Sequence, residues 1–97
     1  MSKLLERRIE GDKITCLFDS ANILQTEYSV PKMLLEVVFR NGLKYRYHAI
    51  TSMEHAGLQI ADSAGQYLHK YFKSKRFEKV GTVAINEILH KIGKSKI

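Results

Sequence analysis

A single cysteine, a single proline and no tryptophan leave this chain few of the residues that mark specialised chemistry. Cys16 alone excludes an intramolecular disulfide, and a cysteine-based metal site would need a second chain. Set between Thr15 and Leu17 in a strand-like run, it reads as a small buried residue and not as a nucleophile. No apolar run approaches bilayer length, and Glu6, Arg7 and Arg8 following Leu4 and Leu5 deny the start of the chain the apolar stretch of a signal peptide. The expectation is a soluble, cytoplasmic protein. His48, His55, His69 and His90 are dispersed, without metal-ligand spacing or a recognisable triad. Walker and dinucleotide glycine patterns are also missing. A non-catalytic protein with no cofactor and no metal is therefore expected.

What the chain does carry is an excess of base: 16 Lys and Arg against 10 Asp and Glu give a formal charge of +6. Such a surplus favours acidic partners, nucleic acid or a phosphate-bearing small molecule among them. The 97 residues suffice for one domain with one modest core.

Leu34 to Ile50 fixes the architecture most tightly, because two β-rich runs meet at Asn41-Gly42, a strong hairpin signal. A two-residue loop would set Phe39 against Lys44 and Val37 against Arg46, mixing apolar and cationic side chains on one face. A loop over Asn41 to Leu43, with Gly42 in the left-handed position, instead pairs Phe39 with Tyr45, Val37 with Tyr47 and Leu35 with Ala49. The buried face is then Leu35, Val37, Phe39, Tyr45, Tyr47 and Ala49. Glu36, Val38, Arg40, Lys44, Arg46 and His48 face the other way, and a one-residue slip would exchange the two sets.

Other elements follow from pattern. An N-terminal hairpin is expected at about 4–18, turning at Gly11, with a short helix before Gly11 as the alternative. A strand from Ile23 to Val30 ends at Pro31. Thr51 to Glu54 is a capping box opening a short helix, with Met53, Ala56, Gly57 and Ile60 on its apolar face. A second helix starts after Asp62-Ser63 and carries Tyr67, Leu68, Tyr71 and Phe72 on one side. Phe72 to Val80 reads as a basic, aromatic connector, and an amphipathic helix at about 83–92 stops at Gly93. The tail from Lys94 to Ile97 is expected to be mobile. Together these give an α+β domain over 1–97, an antiparallel sheet of four to five strands covered on one face by two to three helices.

Ser20-Ala21-Asn22-Ile23, Tyr28, the alternation of Leu35, Val37 and Phe39 into Asn41-Gly42, Tyr45-Arg46-Tyr47, and Ser63, Gly65, Tyr67 and Tyr71 stand in an order and spacing that resembles the KTSC domain. That family is named for its occurrence at the carboxyl terminus of some lysyl-tRNA synthetases. The resemblance covers Ser20 to about Tyr71, a core at about 20–72. It implies a compact module found in bacterial and phage proteins, with RNA as the proposed partner and no catalytic residues. Where many members have a Val-Pro step after the tyrosines, this chain has Ala49-Ile50-Thr51.

Three sets of residues are candidates for binding. Arg40, Lys44, Arg46 and His48 would form a basic sheet face able to hold phosphate, against a plain solvated or covered surface. Lys70, Lys73, Lys75, Arg76 and Lys79 lie among Tyr71, Phe72 and Phe77, a mixture that suits single-stranded nucleic acid. Ser63 and Gly65 open a helix whose backbone donors could take an anion, although capping alone explains Ser63. The first functional reading is a non-catalytic RNA-binding module. The alternatives are a protein that sequesters a small anionic ligand such as a nucleotide, and a protein-interaction or inhibitory module that forms a homo-oligomer through the C-terminal helix.

Overall fold

The structure, a computed structural model, describes residues 3–95. Its elements are β1 (Lys3–Glu10), β2 (Lys13–Asp19), β3 (Ile23–Ser29), β4 (Leu34–Phe39), β5 (Leu43–Tyr47), α1 (Ser52–Ile60), α2 (Ala64–Phe72), β6 (Phe77–Thr82) and α3 (Asn86–Ser95). The six strands form one antiparallel sheet in the order β1-β2-β3-β4-β5-β6. The fold is α+β, as the sequence pattern predicts. The additional strand is β6, which occupies part of the stretch read as a connector. It is an edge strand with a largely exposed surface, so it needs no apolar alternation to form.

The first hairpin turns at Gly11, whose φ of 62° lies in the left-handed region, and Glu10 opposes Lys13 across it. β3 ends just before Val30-Pro31. At the second hairpin the pairing is Val37 with Tyr45 and Leu35 with Tyr47, two residues away from the expected register. The loop is Arg40-Asn41-Gly42, not Asn41-Gly42-Leu43. A turn closed by the Gly42 N–H donating to the Phe39 carbonyl (2.9 Å) puts Gly42, at φ 88°, in the last loop position, where a bulged hairpin needs its left-handed residue. A shift of two preserves which side chains share a face. Val37, Tyr45 and Tyr47 therefore still look into one core and Glu36, Val38, Lys44 and Arg46 lie on the opposite side.

Each face of the sheet has its own apolar cluster. On one, Cys16, Phe18, Tyr28, Leu35, Val37 and Tyr47 pack with Leu58 of α1 and Ala64, Leu68 and Phe72 of α2. On the other, Leu17, Leu24 and Val38 pack with Ile88 and Ile92 of α3. Two helices thus cover one face and the third lies on the reverse, where it crosses β1, β2 and β3. Ile85, Ile88 and Ile92 pack into the chain's own core, while Leu89 of the same stripe stays partly exposed. α3 runs through Gly93 to Ser95 because one exposed glycine costs a helix only about 1 kcal/mol. Lys94 and Ser95 of the expected mobile tail belong to this helix, while Lys96 and Ile97 lie outside the described residues.

Thr51 caps α1 with both halves of the capping box, its hydroxyl accepting from the Glu54 N–H and its own N–H donating to the Glu54 carboxylate. This secures the start of the helix at the point where the Val-Pro step is absent. The apolar face of α1 is not the expected one. His55 and Leu58 are buried, and Met53 and Ile60 stand in solvent.

Candidate nucleic-acid interface

On the open part of the sheet's reverse face, the expected basic surface is neutralised residue by residue. Antiparallel pairing sets Glu36 opposite Arg46, and the Arg46 guanidinium donates twice to one Glu36 oxygen, at 3.0 and 2.7 Å. Lys44 Nζ lies 3.2 Å from the other Glu36 oxygen. Burial pushes the Glu36 carboxyl up, yet the hydrogen bonds from Arg46 and Lys44 outweigh it and hold the group below the usual carboxylate range. β6 adds Glu78, whose Oε1 is 2.6 Å from His48 Nε2 and whose Oε2 is 3.8 Å from Arg46. Further along, Lys13 meets Glu27 and Arg8 meets Glu6 and Glu10. The groove there, lined by Asp12, Lys13, Glu27, Lys32, Glu36 and Arg46, carries both signs of charge.

Arg40 is also occupied. It sits in the hairpin loop, where its guanidinium donates to the Ser20 carbonyl at 3.2 and 2.7 Å. Ser20 in turn accepts from the N–H groups of Asn22 and Ile23, which holds the β2–β3 turn. α2 begins against the same turn: a Cβ on Gly65 would stand 2.7 Å from the Asn22 amide nitrogen. Ser63 caps the helix by accepting from the Gln66 N–H at 3.3 Å. Ser63 therefore serves as a cap and Gly65 allows close packing on the β2–β3 turn. Ser20, Asn22, Arg40 and Gly65, far apart in sequence, are one structural clasp.

The remaining cations gather where α2 ends and β6 begins. Lys75 is bound, with Nζ 3.1 Å from Glu54 and donating to the Ala49 carbonyl, also at 3.1 Å. Among the described residues Lys70, Lys73, Arg76 and Lys79 form no ion pair; Lys70 lies 5.2 Å above the Tyr71 ring. Phe77 stands between Arg76 and Lys79, half exposed. Its ring rests against Tyr45 and Tyr47, with centroids at 6.0 and 5.5 Å, so the sheet's aromatic row holds it in place at the edge. Of the cluster read from the sequence, Lys75 is taken up by Glu54, while Lys79 is set beside Tyr45 by the pairing of β5 and β6.

Elsewhere the site chemistry is sparse. Among the described residues no three His, Cys, Asp or Glu groups are placed to share a metal ion. Burial pushes the Cys16 thiol up, which leaves it a poor nucleophile. No helix among the described residues is long and apolar enough to cross a membrane.

An antiparallel sheet that follows the chain order, backed on one face by two helices, is the class of fold this chain has. The family model of the KTSC domain matches residues 19–77, and the chain belongs to that family. Among solved structures, a KTSC domain protein from Yersinia pestis is similar, at 23% identity and a TM-score of 0.63 over 78% of this chain and 97% of that one. No curated protein matches the chain.

Proposed function

We propose that this protein is a non-catalytic RNA-binding module that holds single-stranded backbone at the junction of α2 and β6. The observation that carries the reading is the separation of its cations into two populations. Those on the sheet face are answered by Glu36, Glu78 or a carbonyl, whereas among the described residues Lys70, Lys73, Arg76 and Lys79, spread over α2, the connector and β6 on either side of half-exposed Phe77 in the sequence, have no carboxylate in ion-pair range, Arg76 acting on Glu78 only at longer range. Unpaired cations supply phosphate affinity, and an aromatic ring fixed at a sheet edge supplies a stacking platform that any base can use. Because the contacts go to backbone and ring faces, little sequence discrimination is expected.

Fluorescence anisotropy with a short single-stranded RNA, measured against salt, tests this. Four phosphate contacts predict a log–log slope of about −3. Combined charge reversal of Lys73, Arg76 and Lys79 should abolish binding, and Phe77→Ala should cost about 1–3 kcal/mol. Lys44→Ala should leave the affinity unchanged. Absence of binding at low salt, or a mononucleotide binding as tightly as the oligomer, would overturn the reading.

A further inference from the structure

Aromatic rings form a diagonal line on the helix-covered face of the sheet. The pairing of β5 with β6 sets Tyr47 opposite Phe77 and Tyr45 opposite Lys79, so these four project from one side. Ring centroids step from Phe77 to Tyr45 at 6.0 Å and from Tyr45 to Phe39 at 5.7 Å, crossing β6, β5 and β4 in turn. α2 covers Tyr47, whose ring meets Phe72 at 6.2 Å, but it leaves the line itself open: Phe77 is half exposed, and Tyr45 and Phe39 are only partly buried. The line ends at a cleft of about 340 Å³ lined by Ala21, Asn22, Phe39, Arg40 and Asn41, at the low end of the roughly 300–1,000 Å³ of small-molecule sites. The polar groups there are already fixed. Arg40 donates from Nε and Nη2 to the Ser20 carbonyl, and Asn41 Oδ1 accepts from the Leu43 N–H at 3.0 Å. What they leave for a ligand is donors, Nη1 of Arg40 and the amide NH2 of Asn41.

Resting on the RNA reading above, we propose that the binding track continues from Phe77 across Tyr45 and Phe39 into this cleft, where one unstacked base is read through its carbonyl oxygen. Charge selects the occupant. The chain carries +6, cations stand at both ends of the line, with Arg76 and Lys79 beside Phe77 and Tyr45 and with Arg40 at the cleft, and no residue lining the cleft is acidic. Phosphates can therefore follow the line while bases lie on its rings. Aromatic side chains on neighbouring strands receive consecutive bases of a single strand, whose unstacked rings a duplex does not offer. Donors from two adjacent residues match the oxygen-bearing edge of uracil or guanine, and adenine has no carbonyl to meet them. The track thus adds one position of base choice to a site that is otherwise indifferent to sequence.

Fluorescence anisotropy with oligouridylates and oligoadenylates of increasing length tests the track on the full chain. Affinity for oligouridylate should climb until rings and cleft are filled, at about four nucleotides, and should exceed that for oligoadenylate about tenfold. Asn41→Asp keeps an acceptor for the Leu43 N–H and suits the turn before Gly42, but it removes the donor; the uracil preference should vanish while the melting temperature holds. Phe39→Leu should weaken both oligomers about fivefold or more. A nuclear magnetic resonance titration of the wild type needs no variant to fold: oligouridylate should shift the Phe39 and Tyr45 ring protons and the Asn41 side-chain amide. Oligomers that bind and lose affinity on Phe77→Ala, yet show no base preference and leave the Asn41 amide unmoved, overturn the track and leave RNA binding at the α2–β6 junction standing. Absence of any RNA binding at low salt overturns both.

Discussion

His55 illustrates how one side chain ties stability to pH. It is almost fully buried, stacked on Tyr28 with centroids 4.6 Å apart, and its Nδ1 accepts from the Gln59 amide at 3.1 Å. The ring proton is then on Nε2, which has no hydrogen-bond partner among the described residues. Burial, reinforced by the positive charge of Arg7, lowers its pKa to about 4. An unfolded chain takes up the proton near pH 6.5 while the folded one refuses it until about pH 4, so the unfolded state binds more protons in between. Stability should be full above pH 6.5 and fall through this window, by about 3 kcal/mol across it. Urea denaturation at pH 7, 6 and 5 measures the slope, which His55→Phe should remove above pH 5 while keeping the ring against Tyr28. The sequence did not disclose this residue. Nine positions of α1 offer two competing faces, and hydropathy favours Met53, Ala56, Gly57 and Ile60; the space beside Tyr28 and the fit of Leu58 into the core decide otherwise.

At the level of elements, alternation was legible and register was not. The period of two assigned Val37, Phe39, Tyr45 and Tyr47 to one side correctly, because apolar and charged residues cannot trade faces cheaply. The two-residue shift escaped notice since both registers keep those faces, and turn geometry alone distinguishes Gly42 as third loop residue from Gly42 as second. β6 was illegible for a different reason: an edge strand with Glu78 and Lys79 at its centre has no buried face to announce it. α3 was read as an amphipathic helix, and its apolar stripe now has a place over Leu17, Leu24 and Val38. Ile92→Ala should therefore destabilise the monomer by about 2–4 kcal/mol in chemical denaturation, with no change in the concentration dependence of sedimentation.

For the molecule as a whole, the distribution of charge matters more than its sum. Net charge and clustering were legible in the sequence, but partners brought by folding were not: Glu36 reaches Arg46 only across β4 and β5, and Glu78 reaches His48 only because β6 returns to the sheet. If carboxylates are what keep phosphate off the sheet face, Glu36→Gln combined with Glu78→Gln should free Arg46 and Lys44, raise RNA affinity at low salt and steepen the salt slope by about one unit. An unchanged slope would mean that shape, not neutralisation, closes that face.

The sheet order β1-β2-β3-β4-β5-β6 follows the chain itself, each strand hydrogen-bonded to its immediate predecessor. A chain emerging from the ribosome can therefore zip strand on strand as it appears, without waiting for a distant segment to arrive. α3 follows all six strands along the chain, so the underside of the nascent sheet at Leu17, Leu24 and Val38 stays uncovered until that helix has emerged.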